Sequence, residues 1–157
     1  MQPAELSGEV ITVSGYELRT DRWYDPETHL WVQLLEDGRV RVGMDSLTAE
    51  TSGSLAQLAM VASGTPVTRG VAFGSLEAAK FVGPMTSPVT GVLTHANDTV
   101  LTDPDLVLRS PYDDGWLAEI KPTQWAAEHD QLISGAALPA WFAQAVADYR
   151  QNGLVAE

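Results

Sequence analysis

The chain has 157 residues, a formal net charge of −12 and no cysteine, enough length for one domain that withdraws roughly two thirds of its unfolded surface from water. An acidic surface repels phosphate backbones and anionic lipid, so nucleic-acid and membrane-surface roles are not expected. Without cysteine there is no disulfide, thiolate metal site or cysteine nucleophile, and with neither a basic-then-apolar leader nor an apolar run near the ~20 residues of a membrane span, a cytoplasmic monomer is expected.

Residues 1–9 are polar and expected to be loosely ordered. Val10-Ile11-Thr12-Val13 is a short β-branched run stopped by Gly15, which predicts a strand. Residues 18–25 are mixed, and Asp25-Pro26 marks a turn. Apolar-rich runs at 30–35 and 39–44 flank Glu36-Asp37-Gly38. They predict a hairpin, because glycine accepts the positive φ of a tight turn. Ser46 is placed to cap a short helix containing Leu47, Glu50 and Thr51, ended by Gly53. Residues 56–62 read as another strand.

A punctuated stretch follows. Ser63-Gly64-Thr65-Pro66 is a turn, residues 71–76 a strand, and Val82, Gly83-Pro84 and residues 87–93 form a matching second half. Lys80 lies midway between these flanks, at the tip of a predicted β-hairpin. Only one other lysine exists, Lys121; the remaining seven basic residues are arginines. A group carried on an amine therefore has few possible attachment points. Short strands separated by Gly/Pro turns predict a small β-sandwich or barrel. Residues 97–108 are expected to be irregular or a single helical turn, with Pro104 at the first position of a short helix. Residues 111–115 form a turn, and 116–120 a strand ended by Lys121-Pro122.

The last part changes character. Residues 123–133 predict a helix with Thr123 as cap, and Ser134-Gly135 interrupts it. Residues 139–151 predict a second helix, in which Trp141, Phe142, Ala145, Val146 and Tyr149 recur at three- and four-residue spacing. One domain results: a lead-in at 1–23, a β core at 24–122 and a helical segment at 123–157 packed on that core.

From residue type alone, Lys80 is a solvated turn lysine and Glu77 a solvated strand-end charge. An exposed Glu77–Lys80 pair would contribute well under about 1 kcal/mol. His29 is expected either to pack beside Trp31 or to face a bound group, where an imidazole can donate a hydrogen bond or titrate near neutral pH. His95 and His129 are isolated and complete no metal motif. Gly64, Gly70, Gly83 and Gly91 are turn glycines, since no strand–glycine-rich loop–helix order with a terminal Lys-Ser/Thr surrounds them. Trp31 and Trp116 are expected in the core, and no Gly-x-Ser-x-Gly elbow is present.

Taken together, these motifs resemble the glycine-cleavage H protein family of lipoyl carriers over residues 24–122. His29-x-Trp31-Val32 is similar to that family's His-Glu-Trp-Val. The run Gly64-x-x-Val67-x-x-Gly70-x-x-Phe73-Gly74-x-x-Glu77-x-x-Lys80 matches the spacing of its lipoyl hairpin without a gap. Ser87-Pro88-Val89-x-Gly91 follows, and Pro111-Tyr112-x-x-Gly115-Trp116-Leu117 resembles its Pro-Tyr-x-x-Gly-Trp box. The resemblance implies a barrel-sandwich hybrid fold and a non-catalytic carrier with lipoic acid amide-linked to Lys80. It also implies Glu77 as a recognition residue for the lipoyl ligase or lipoyltransferase, and His29 as a contact of the arm. Biotin attachment is the nearest chemical rival, but it wants methionines beside the lysine where this chain has Ala79 and Phe81.

Two departures bear on the cargo. In the family an aminomethyl group is held by acidic residues at the positions of Leu30 and Pro84, and leucine and proline offer no carboxylate for that purpose. Glu77-x-x-Lys80-Phe81-Val82-Gly83-Pro84, with Tyr24-Asp25-Pro26-Glu27, is instead similar to the H-like lipoate-binding proteins of a heterodisulfide-reductase-like sulfur-oxidation system. That branch implies a sulfur-bound cargo and a heterodisulfide-reductase-like complex as partner. The alternative is a glycine cleavage system H protein carrying the aminomethyl group, with glycine decarboxylase, aminomethyltransferase and dihydrolipoamide dehydrogenase as partners. An unlipoylated β-domain used for interaction alone is the third possibility.

Overall fold

A computed structural model describes residues 8–155; of the loosely ordered start expected over residues 1–9, all but the last two residues lie outside them. The predicted hairpin forms as β4 (Leu30–Leu34) and β5 (Val40–Met44), with Gly38 at φ +88° in the connecting turn. It is the centre of a six-stranded antiparallel sheet. β3 (Trp23–Tyr24) pairs with β4; on the other side β5 is followed by β11 (Ala118–Pro122), β10 (Gly91–Ala96) and β7 (Pro66–Val67). A three-stranded sheet packs against it, in the order β6 (Leu55–Met60), β8 (Ala72–Ala78) and β9 (Val82–Thr86).

Apolar side chains from both sheets meet between them. Val32, Val40, Val42, Leu93 and Ile120 come from one side and Leu58, Phe73, Leu76 and Met85 from the other, all buried. Burial at roughly 25 cal/mol per Å² of apolar surface makes this layer the main source of stability. A second cluster lies on the far face of the larger sheet, where Trp31, Tyr24, Leu18, Leu47 and Tyr112 receive Leu138, Phe142 and Val146 of helix α5 (Leu138–Gln151). The expected β core with a C-terminal helix packed on it is thus what forms. No helix among the described residues is long and apolar enough to cross a membrane.

Several local expectations are corrected. The lead-in is a hairpin, β1 (Val10–Val13) with β2 (Tyr16–Arg19), because Ser14 and Gly15 both take positive φ (52° and 90°) and turn the chain where Gly15 had looked like a stop. Helix α1 (Ser46–Ser52) is capped by Asp45, whose Oδ1 accepts from the Thr48 N–H at 2.8 Å, and not by Ser46, whose hydroxyl donates to the Glu17 carbonyl. The strand expected at 56–62 is β6, shifted to Leu55–Met60. Residues 97–108 hold two short helices, α2 (Asp98–Thr102) and α3 (Leu106–Arg109), with Pro104 in the loop between them.

Trp116 lies outside β11; it is half-buried, with the Arg41 guanidinium 4.7 Å over its ring. The helix expected over 123–133 is reduced to α4 (Trp125–Glu128) and one 3-10 turn (His129–Gln131). Thr123 does not cap it: the N-cap is Gln124, without a side-chain cap bond, and the Thr123 hydroxyl donates to the Thr90 carbonyl. Tertiary partners outweigh helix propensity here. Glu128 accepts from both the N–H and the hydroxyl of Thr90 at 2.7 Å, Trp125 packs edge-on to Trp23 at 5.0 Å, and Ile133 is drawn into a bridge with Tyr24.

Candidate carrier site

β8 and β9 pair in the register Glu77↔Val82, which leaves Ala79 and Lys80 as the two-residue tip. Tight two-residue hairpins usually rely on positive φ at their central residues. Neither Ala79 nor Lys80 has it. The tip is held from outside instead. The Ala79 N–H donates to the Ser54 carbonyl at 2.9 Å, and the Lys80 N–H donates to the Ser52 carbonyl at 3.1 Å. Between those two acceptors Gly53 adopts φ 73°, ψ −162°. The segment is pinned in turn by Asp105, whose Oδ1 accepts from the Leu55 N–H at 2.8 Å. Lys80 is exposed, and its ammonium has no ion pair among the described residues.

Glu77 lies on β8 between buried Leu76 and Ala78, so it points to the open outer face of the small sheet, opposite Gln57 and Val82. The suggested Glu77–Lys80 pair does not form: strand alternation aims the carboxylate outward while the lysine stem lies over Gly53.

Beside the tip runs a groove of about 370 Å³, with Lys80 and Phe81 in its lining. Its apolar lining is Leu30, Met44, Leu76, Pro84 and Met85. Its polar lining includes Glu27, Thr28, Thr48, Thr51 and Ser52, and the C-terminal segment adds Tyr149 and Leu154. The Thr48 hydroxyl oxygen is buried without a hydrogen-bond partner. Burial, followed by the nearby Asp45 carboxylate, pushes the Tyr149 phenol above its ordinary value, so it is neutral at physiological pH. Glu27 makes no side-chain hydrogen bond or ion pair with the described residues. An exposed amine with no partner, next to a groove with an apolar lining, fits a covalently attached acyl chain ending in a weakly hydrated disulfide ring.

His29 does not line the groove, although Thr28 and Leu30 on either side do. It is buried at φ +63°, with Nδ1 2.7 Å from Asp45 Oδ2 and its ring stacked 4.8 Å from that of Trp141. The positive φ turns the imidazole toward α5 and away from its neighbours' cavity, so it joins β4, the α1 cap and the C-terminal helix. Tyr149, Leu154 and Glu27 are groove residues that sequence reasoning missed. The one available signal was Tyr149, seven residues beyond Phe142 on the apolar stripe of α5.

Comparison with known proteins agrees with this arrangement. The family described as Glycine cleavage H-protein matches residues 22–144. A glycine cleavage system H protein 2 of Aquifex aeolicus is 30% identical over 130 residues, covering 83% of this chain and 81% of that protein. The H protein 3 of the same organism is 35% identical, covering 74% and 72%. In a crystal structure of a glycine cleavage system H protein from Mycobacterium marinum the fold recurs with a TM-score of 0.67 at 28% identity, over 87% of this chain and 99% of that one. The chain therefore belongs to the glycine cleavage H-protein family, whose members are non-catalytic carriers with lipoic acid covalently attached to a lysine.

Proposed function

We propose that Lys80 is the lipoyl attachment point and that its arm rests in the adjoining groove between visits to partner enzymes. The observation that carries this reading is the position of Lys80: its unpaired amine sits on an externally braced tip and opens directly on the groove. When bound, lipoic acid supplies a dithiol/disulfide couple able to carry a group on sulfur. The protein contributes the fixed tip, an apolar lining that shields the arm from water, and hydroxyls that can accept or donate along it. Glu77, exposed beside the tip, is the recognition residue for the lipoyl ligase or lipoyltransferase.

For the cargo, the names of the relatives favour the aminomethyl group of glycine, passed from glycine decarboxylase to aminomethyltransferase with dihydrolipoamide dehydrogenase restoring the disulfide. A second reading, a sulfur-bound cargo for a heterodisulfide-reductase-like complex, has one observation in its favour. Leu30 and Pro84, which stand where the resemblance calls for carboxylates, both line the groove.

Coexpression with a lipoyl ligase and lipoate tests the attachment. The intact mass should rise by one lipoyl group in the native chain and not in Lys80→Arg. An unchanged native mass would reduce the protein to an interaction domain, and a gain surviving in Lys80→Arg would move the site. Incubating the lipoylated protein with glycine and glycine decarboxylase then separates the cargoes: an aminomethyl mass increment is expected, and its absence favours the sulfur reading.

A further inference from the structure

We infer that Glu27 selects the charge of the cargo, so that the groove seats a cationic amine in preference to a neutral group and disfavours an anion. This rests on the carrier reading above. Acylation converts the Lys80 ammonium to a neutral amide. Among the described residues Glu27 then holds the one formal charge in the groove lining, because the remaining groove side chains are apolar, hydroxyl-bearing or the neutral Tyr149.

The carboxylate is placed by a built turn. Asp25 Oδ1 accepts from the Glu27 N–H at 2.9 Å and the Thr28 N–H at 3.2 Å, while Asp25 Oδ2 accepts from Arg69 at 2.9 Å. Arg69 is a cation bordering Glu27 on the other side of this turn, in a polar recess. It is committed to Asp25, to the Pro88 carbonyl at 2.8 Å and to Gln131, and does not pair with Glu27. Glu27 is thus fixed in backbone but makes no side-chain bond with the described residues, and it borders a groove also lined by Leu30, Met44 and Met85. An apolar lining lowers the local dielectric and strengthens both responses, attraction of an ammonium through a charge-assisted hydrogen bond and repulsion of an anion.

The chain has no cysteine, so the thiols of a reduced lipoyl arm are the only ones in the protein. Lipoylated, phosphine-reduced protein is alkylated in three arms with 2-bromoethylamine, iodoacetamide or iodoacetate. In each the thiol proton passes to buffer, sulfur attacks carbon and halide leaves, giving a thioether that ends in an ammonium, a neutral amide or a carboxylate. Amide chemical shifts of Thr28, Thr48 and Tyr149 report the seated fraction of each.

The ammonium arm is expected to seat about tenfold better than the carboxylate arm, with the amide between, since attraction and repulsion at an exposed carboxylate each contribute up to about fivefold. Glu27→Gln should bring the three together, and Glu27→Asp should keep their order; neither side chain takes part in folding contacts. Equal seating of cation and anion in the native chain or a preference that survives in Glu27→Gln would each overturn the role of Glu27 and leave the carrier reading standing, whereas attachment at Lys80 with none of the three arms seated would overturn that role and the groove as the arm's resting place, leaving only the attachment. Failure of lipoate to attach at Lys80 would overturn the carrier reading itself, and Glu27's role with it.

Discussion

Gly53 shows how one residue without chemistry of its own governs the Lys80 tip. Its φ 73°, ψ −162° lies in a region that residues with a Cβ rarely enter. A Cβ added there would meet Ala79 and the Lys80 stem at 3.4 to 3.6 Å, which is ordinary contact, so the cost of substitution is backbone strain. Gly53→Ala is expected to lower stability by about 1–3 kcal/mol in urea denaturation. It should also slow lipoylation, because the flanking carbonyls of Ser52 and Ser54 are the acceptors for the Lys80 and Ala79 amides. Unchanged stability together with an unchanged rate of modification would refute the bracing role. The place of Lys80 at a hairpin tip was legible in the sequence from the spacing of its flanks. The function of Gly53 was not, since it arises from hydrogen bonds between residues 25 and 28 positions apart in the chain.

Helix α5 links the stability of the molecule to the shape of its groove. Leu138, Phe142 and Val146 are fully buried against the larger sheet, while the last turn carries Tyr149 to the groove lining. Phe142 packs edge-on to Tyr16 at 6.1 Å and lies beside His29. Phe142→Ala should cost about 3–5 kcal/mol. Hydrogen exchange should quicken across residues 138–151 more than across β4 and β5; uniform quickening would show that α5 does not open separately. The amphipathic period of this helix was visible in the sequence because it repeats within a few residues. The segment at 123–133 carried helix-compatible residues as well, yet Glu128, Trp125 and Ile133 each find a partner on the β core, and those contacts override local preference. β2 went unseen because Tyr16-Glu17-Leu18-Arg19 lacks the β-branched run that marks β1, a strand of the same length.

The molecule as a whole is predicted to weaken in alkali. Burial raises the phenols of Tyr24 and Tyr112 above their ordinary value, and burial together with the hydrogen bond to Glu50 pushes Tyr16 up to about 12. A raised folded-state pKa means that the folded chain holds its proton more tightly. The associated stability is therefore fully present below the unfolded value of 10.0 and is lost as pH rises above it toward the folded values. The Tm should be level through neutral pH and fall above about pH 10, with a shallower fall in Tyr112→Phe. A Tm unchanged from pH 9 to pH 11 would contradict this. What the sequence by itself determined is the acidic, cysteine-free composition, the central hairpin, the amphipathic C-terminal helix and the lysine between two matched flanks. Periodicity and turn chemistry are local, so they survive without coordinates. That Leu30 and Pro84 stand where the resemblance implies carboxylates was also readable in the sequence. Only the tertiary structure decided that Glu27 borders the same groove, that His29 turns away from it, and that Tyr149 lines it. These depend on three-dimensional convergence of the β3–β4 turn, the α1 segment, the lysine hairpin and the C-terminus, whose meeting is set by packing across two separate cores.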